Sequence, residues 1–124
     1  MEQSTLTTLI EQATTAFFSE ITLRQDELLA REEGDALAHV TDEIGTAIDA
    51  LLDERNKDYT HMLLRCCQER PDLFITQPDA LSCILEHESY GRITAQHCVY
   101  HNLYDLIRNT LEFAFVVWHQ NKSQ

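Results

Sequence analysis

At 124 residues, with 44% hydrophobic and 24% charged content, three glycines and two prolines, the chain has the profile of a globular domain that buries a core without disulfides or metal. A formal net charge of −12 disfavours direct nucleic-acid binding and an anionic membrane surface, because both require a basic patch. The opening MEQSTLTTLIEQ lacks the basic and apolar regions of a signal peptide, and the longest apolar run, residues 113–118, is too short to span a bilayer. A cytoplasmic protein with no membrane contact is therefore expected, its four cysteines reduced.

The apolar residues recur at helical spacing almost throughout, and no stretch alternates with period two. Ser4 is a good N-cap for a first helix with Leu6, Leu9, Ile10, Ala13, Phe17 and Ile21 on one face. That helix runs towards Gly34, a natural stop, with Arg24 interrupting the stripe and marking a bend. Asp35 then caps a second helix with Leu37, Val40, Ile44, Ile48 and Leu51 inside. A third spans residues 58–69 and ends before Pro71. After a loop, RPDLFITQP, Pro78 opens a short fourth helix that stops near Gly91. Thr94 caps the last, which runs to about residue 119 with Val99, Leu103, Leu106, Thr110, Ala114 and Val117 facing inward. The expectation is an all-α fold: one domain over residues 1–124, a bundle of about five helices.

Little of the sequence looks catalytic. HCVYH places His97 and His101 four apart on one helix face, as Cys83 and His87 are on the preceding one. Both pairs lie away from their helices' apolar stripes, so they diverge when those stripes pack, and no metal or other cofactor is expected. RITAQH, residues 92–97, matches the loose R-x4-6-H pattern of the small all-helical HEPN ribonucleases. The acidity around it is wrong for RNA, and Arg92 reads better as a helix start. Phosphate-binding glycine loops, G-x-S-x-G and H-E-x-x-H are all missing, so no catalytic residue is assigned and no enzymatic activity is expected.

The acidity itself is the clearest signal. Residues 20–58 hold twelve acids against four bases, whereas residues 59–124 hold seven against five. On a continuous second helix Asp35, Asp42, Asp49 and Asp53 fall within about 40° of one another, a column roughly 27 Å long that Glu43 and Glu54 thicken. Such a column is either the solvated side of an amphipathic helix or a surface that docks on a basic partner with electrostatic steering. The order of the C-terminal region is similar to that of the phage DNA-mimic antirestriction proteins. An acidic helix (DALAHVTDEIGTAIDALLDE) precedes a tyrosine-containing one (DYTHMLLRCCQE), and a final helix carries VYHNLYDLIRNTLEF. This resemblance covers roughly residues 35–118 and implies a small acidic helical inhibitor that occupies the basic groove of a nucleic-acid-handling protein. The chain departs from the pattern in having no acidic tail and in carrying Arg65, Arg70, Arg92 and Arg108. The alternative is a helical adaptor, secretion chaperone or immunity protein that binds through an apolar surface.

FAFVVW, residues 113–118, is apolar on every side. Leaving Phe115 and Trp118 in water forfeits about 1.5–3 kcal/mol each. A homodimer that buries Phe113, Phe115, Val116 and Trp118 is therefore expected.

Overall fold

The structure is a computed structural model that describes residues 4–53, 55–70 and 90–123; for residues 60, 67 and 90–99 it describes the backbone alone. The fold is all-α, with no strand among the described residues. The helices are α1 (Thr5–Ile21), a 3-10 turn (Thr22–Arg24), α2 (Gln25–Leu29), α3 (Glu33–Ala38), α4 (Thr41–Leu51), α5 (Tyr59–Glu69) and α6 (Tyr90–Lys122). They belong to two compact units. One comprises Met1–Thr8 and Leu52–Asp105, the other Leu9–Leu51 and Leu106–Gln124.

In the first unit Leu6, Leu52, Tyr59, Leu63, Cys66 and Leu103 are buried. Tyr59, Leu63 and Cys66 follow the i, i+4, i+7 spacing of one helix face, which is why α5 forms where the sequence predicts it. The start of α1 is held twice. The Thr7 N–H donates to Ser4 Oγ (3.1 Å), the expected cap, and the Thr5 N–H and hydroxyl both donate to the Glu69 carboxylate (2.7 and 3.0 Å). An anion at a helix N-terminus also meets the positive end of the helix dipole.

The second unit centres on Ala13, Phe17, Ile21, Leu28, Ala36, Val40 and Ile48, all fully buried together with Ile107, Leu111 and Phe115. The bend expected at Arg24 is present: α1 gives way to the 3-10 turn, and Arg24 leaves helical geometry at φ −115°, ψ 20°. The break between helices comes earlier than Gly34, at Ala30 to Glu32. Glu32 is extended (φ −66°, ψ 154°), so Gly34 lies inside the first turn of α3 and terminates nothing. Asp35 is likewise in that first turn and is not the cap.

The expected second helix is two helices, broken at His39 and Val40. The His39 N–H closes back on Ala36 O (3.0 Å) and the Val40 N–H on Leu37 O (3.2 Å), tighter than an α-helical turn. The Thr41 hydroxyl donates to Ala38 O (3.2 Å), and two successive β-branched residues weaken the helix there. Across both pieces Leu37 and Leu51 are half-buried, and Ala36, Ala47 and Leu52 complete the buried set.

The last helix starts at Tyr90, four residues before Thr94, and contains Gly91. Its buried face also differs from the expected stripe. Leu103, Ile107, Leu111, Phe115 and His119 are buried, Leu106, Thr110 and Ala114 are half-buried, and Val117 is exposed. Each buried residue is four after the last, about 40° more than a full turn, so the buried line winds around the helix. The loop, the Pro78 helix and its residues Cys83 and His87 lie outside the described residues.

Candidate functional site

The acids form a surface of the second unit, and their hydrogen bonds separate them into two groups. Arg24, set at the bend, donates from Nη1 to the Glu43 carboxylate and to His39 O (3.3 Å), and from Nε and Nη2 to Glu27 (3.3 and 3.1 Å). The hydrogen bond from Arg24 is the main reason the Glu27 carboxyl titrates below its ordinary range. The same pairing raises the Arg24 guanidinium above its ordinary value. Asp35 is taken by Arg31 Nη1 (2.9 Å), with His39 Nε2 at 3.6 Å. Glu43, Glu27 and Asp35 thus share the two guanidinium groups of Arg24 and Arg31.

Asp42 and Asp49 differ. Both are exposed on α4, and among the described residues neither takes part in an ion pair. They are seven residues apart, so they share a face about 10 Å apart along the axis. The expected four-residue column does not exist as one object. The break at residues 39–40 puts Asp35 on a separate helix, and Asp53 lies past the end of α4 in the first unit. Asp53 accepts from Arg55 Nε and Nη2 (3.1 Å each) and from the Arg55 backbone N–H (2.9 Å), which hold its carboxyl below the usual range. Glu54 lies outside the described residues.

Beside Asp42 runs a groove of about 450 Å³, lined by Ala16, Ser19 and Glu20 of α1 and by α4 residues that include Asp42, Thr46 and Ala50. Glu43 also borders it, and its Oε2 is buried with no hydrogen-bond partner among the described residues. Periodicity alone did not reveal this groove. The signal, visible only afterwards, is that Ala16, Ser19, Thr46 and Ala50 are small residues at exposed positions on two helices of one unit.

The expected dimer face is corrected at its centre. Phe115 is fully buried in its own chain, its ring centroid 6.2 Å from Phe17 and 5.6 Å from Trp118. Trp118 also packs against Phe18, its ring tilted and the centroids 6.2 Å apart, and is half-buried, as is Val116. The outward apolar residues are Phe113, 70% exposed, and Val117, 38% exposed. The winding of the buried line explains the exchange of Phe115 for Val117.

His119 has a role the sequence did not suggest. It is buried at the level of α2, and its Nε2 donates to Leu28 O (3.1 Å) and Arg31 O (3.0 Å). Because both partners are carbonyls, that nitrogen carries a proton. The imidazole thereby adds a second donor to Leu28 O, which also accepts from the Arg31 N–H (3.3 Å), and a donor to Arg31 O just past the end of α2.

His101 is exposed and stacks edge-on against Tyr100 at 5.5 Å; the side chains of Arg92, His97 and Val99 lie outside what is described. Among the described residues no three His, Cys, Asp or Glu side chains gather in a metal-sized cluster, and no helix is long and apolar enough to cross a membrane. Comparison with protein families, with characterised proteins and with solved structures finds no match.

Proposed function

We propose that this chain is a non-enzymatic acidic protein that binds a basic, nucleic-acid-handling protein and inhibits it by occupying its nucleic-acid site. The observation that carries this reading is the pair Asp42 and Asp49, exposed on one face of α4 with no ion pair among the described residues, while Glu27, Asp35 and Glu43 pair with Arg24 and Arg31. Two charges over about 10 Å is far sparser than DNA, which carries one charge per about 1.7 Å of axis. The likeness to nucleic acid therefore lies in a negative field that steers and orients a basic partner, rather than in a phosphate-by-phosphate copy.

The test replaces Asp42 and Asp49 with Asn and compares proteins captured from the native host by the two forms. The fold should be unchanged, since exposed carboxylates without ion pairs contribute little to stability. Basic nucleic-acid-binding partners should be retained by the wild type in a salt-sensitive manner and lost from the variant. Equal retention by both forms sinks this reading.

A second reading rests on Phe113 and Val117, one turn apart and exposed. As the apolar surface of an adaptor, chaperone or immunity protein, or of a homodimer, they would give contacts almost indifferent to salt. Sedimentation of wild type and Phe113→Glu tests the homodimer: a wild type monomeric at about 50 μM, a concentration that would populate a dimer with a Kd of about 1 μM or tighter, excludes it.

A further inference from the structure

The groove between α1 and α4 is the most specific concave feature of the acidic unit. Its apolar and hydroxyl lining is small: Ala16 and Ser19 on α1, Thr46, Ala47 and Ala50 on α4, with no aromatic or branched aliphatic side chain among the residues that line it. Its volume of about 450 Å³ falls in the range of clefts that bury a ligand, roughly 300–1,000 Å³. Small residues on two helices let the backbone of a third helix come close, the arrangement used when an amphipathic helix lies in a groove.

Among the described residues the unpaired charge around it is negative, because Glu43 is matched by Arg24 while Glu20 and Asp42 are not. Glu20, Asp42 and Glu43 border the groove, and no Lys or Arg lines it. Glu20 and Asp42 are exposed, and neither takes part in an ion pair among the described residues. Helix chemistry does not account for both acids. Asp42 sits in the first turn of α4, where the dipole favours an anion, whereas helical geometry runs on past Glu20 through the 3-10 turn to Arg24, so no helix terminus accounts for Glu20. An acid with no ion-pair partner among the described residues, at the edge of an apolar groove, is suited to a ligand that brings positive charge.

We infer that this groove is the docking site for a basic amphipathic helix of a protein partner, its small or apolar face on Ala16 and Ala50 and its lysines or arginines towards Glu20 and Asp42. The inference rests on the proposed function and narrows it to a class. Proteins that read DNA through a helix carry such a basic, protruding element, which enters the major groove. The groove of this chain takes that helix in place of the DNA.

The probe is a synthetic amphipathic helix of about 20 residues, lysine on one face and alanine and leucine on the other, long enough to hold helical structure. Fluorescence anisotropy follows its binding to the full chain. A scrambled peptide of the same composition reports attraction by charge alone. Ala16→Trp and Ala50→Trp fill the groove without changing charge, at exposed positions where bulk is tolerated, and Gln68→Trp on α5 is the control. Each groove variant should weaken the helical peptide on the order of tenfold, as blocking a central contact does, while Gln68→Trp leaves it unchanged. The scrambled peptide should bind far more weakly than the helical one. Wild-type affinity in either groove variant, or equal binding of the scrambled peptide, overturns the inference. That failure is distinguishable from failure of the proposed function. If Asp42→Asn with Asp49→Asn still abolishes capture of basic partners while the tryptophans do nothing, the groove is wrong and the function stands. If the tryptophans block the peptide but the asparagines leave capture unaltered, the groove stands and the function falls.

Discussion

The two longest helices, α1 and α6, both bury one line of side chains, and only one of those lines reads correctly from the sequence. On α1 the line is Leu6, Leu9, Ala13, Phe17 and Ile21, which mixes steps of three and four and drifts about 60° around the helix. The opposite side is threonine, serine and glutamate, so only one phase buries the apolar residues. On α6 the line from Leu103 to His119 advances by four each time and drifts about 160°. There the opposite side offers Phe113, Val116 and Val117, so polar residues do not fix the phase. Apolar residues make a helix face available, and it is the polar ones that decide which face is used.

The largest expected effect separates the two phenylalanines of α6. Phe115→Ala empties a fully buried site against Phe17 and should cost about 3–5 kcal/mol, whereas Phe113→Ala, at an exposed position, should stay within about 0.5 kcal/mol. Urea unfolding of both variants measures the contrast. Similar costs would mean that the phase assigned to α6 is wrong.

The end of the buried line gives a middle-sized effect. His119→Ala removes the donor shared by Leu28 O and Arg31 O and should cost about 1–3 kcal/mol. Amide exchange should speed up in α2, and unchanged protection there would show that the imidazole does not hold it.

The smallest concerns the helix that read correctly. Ser4→Ala should cost about 0.5–2 kcal/mol, towards the low end because Glu69 still holds the first residue of α1. Adding Glu69→Ala should lower the denaturation midpoint by more than the two single changes together. Simple additivity would show that the serine and the carboxylate do not substitute for one another.

Local signals were legible where a single residue type forced the outcome: the Ser4 cap, the bend at Arg24, and α5 with its end before Pro71. They misled where two devices competed. Gly34 can end a helix, but the chain had already left helical geometry at Glu32, and Val40 and Thr41 broke a helix that hydrophobic spacing alone would continue. The acidic surface was legible as composition only. Which acids stay unmatched depends on arginines brought in by folding: Arg24 reaches Glu43 across nineteen positions, and no spacing rule encodes that. The groove was illegible for the same reason, since it joins residues about thirty positions apart that share only small size.

The second unit is discontinuous: Leu9–Leu51 must meet Leu106–Gln124, and residues 52–105 are made in between. Phe17 emerges from the ribosome long before Phe115, and the His119 hydrogen bond to Leu28 spans 91 positions. At about 5–20 residues per second, the early segment waits for seconds with its apolar stripe uncovered. Its many acids should then limit association between such segments, because like charges repel. Closing so large a loop also makes this unit's contacts slow to form, so its refolding rate should be set by the arrival of α6 rather than by the early helices.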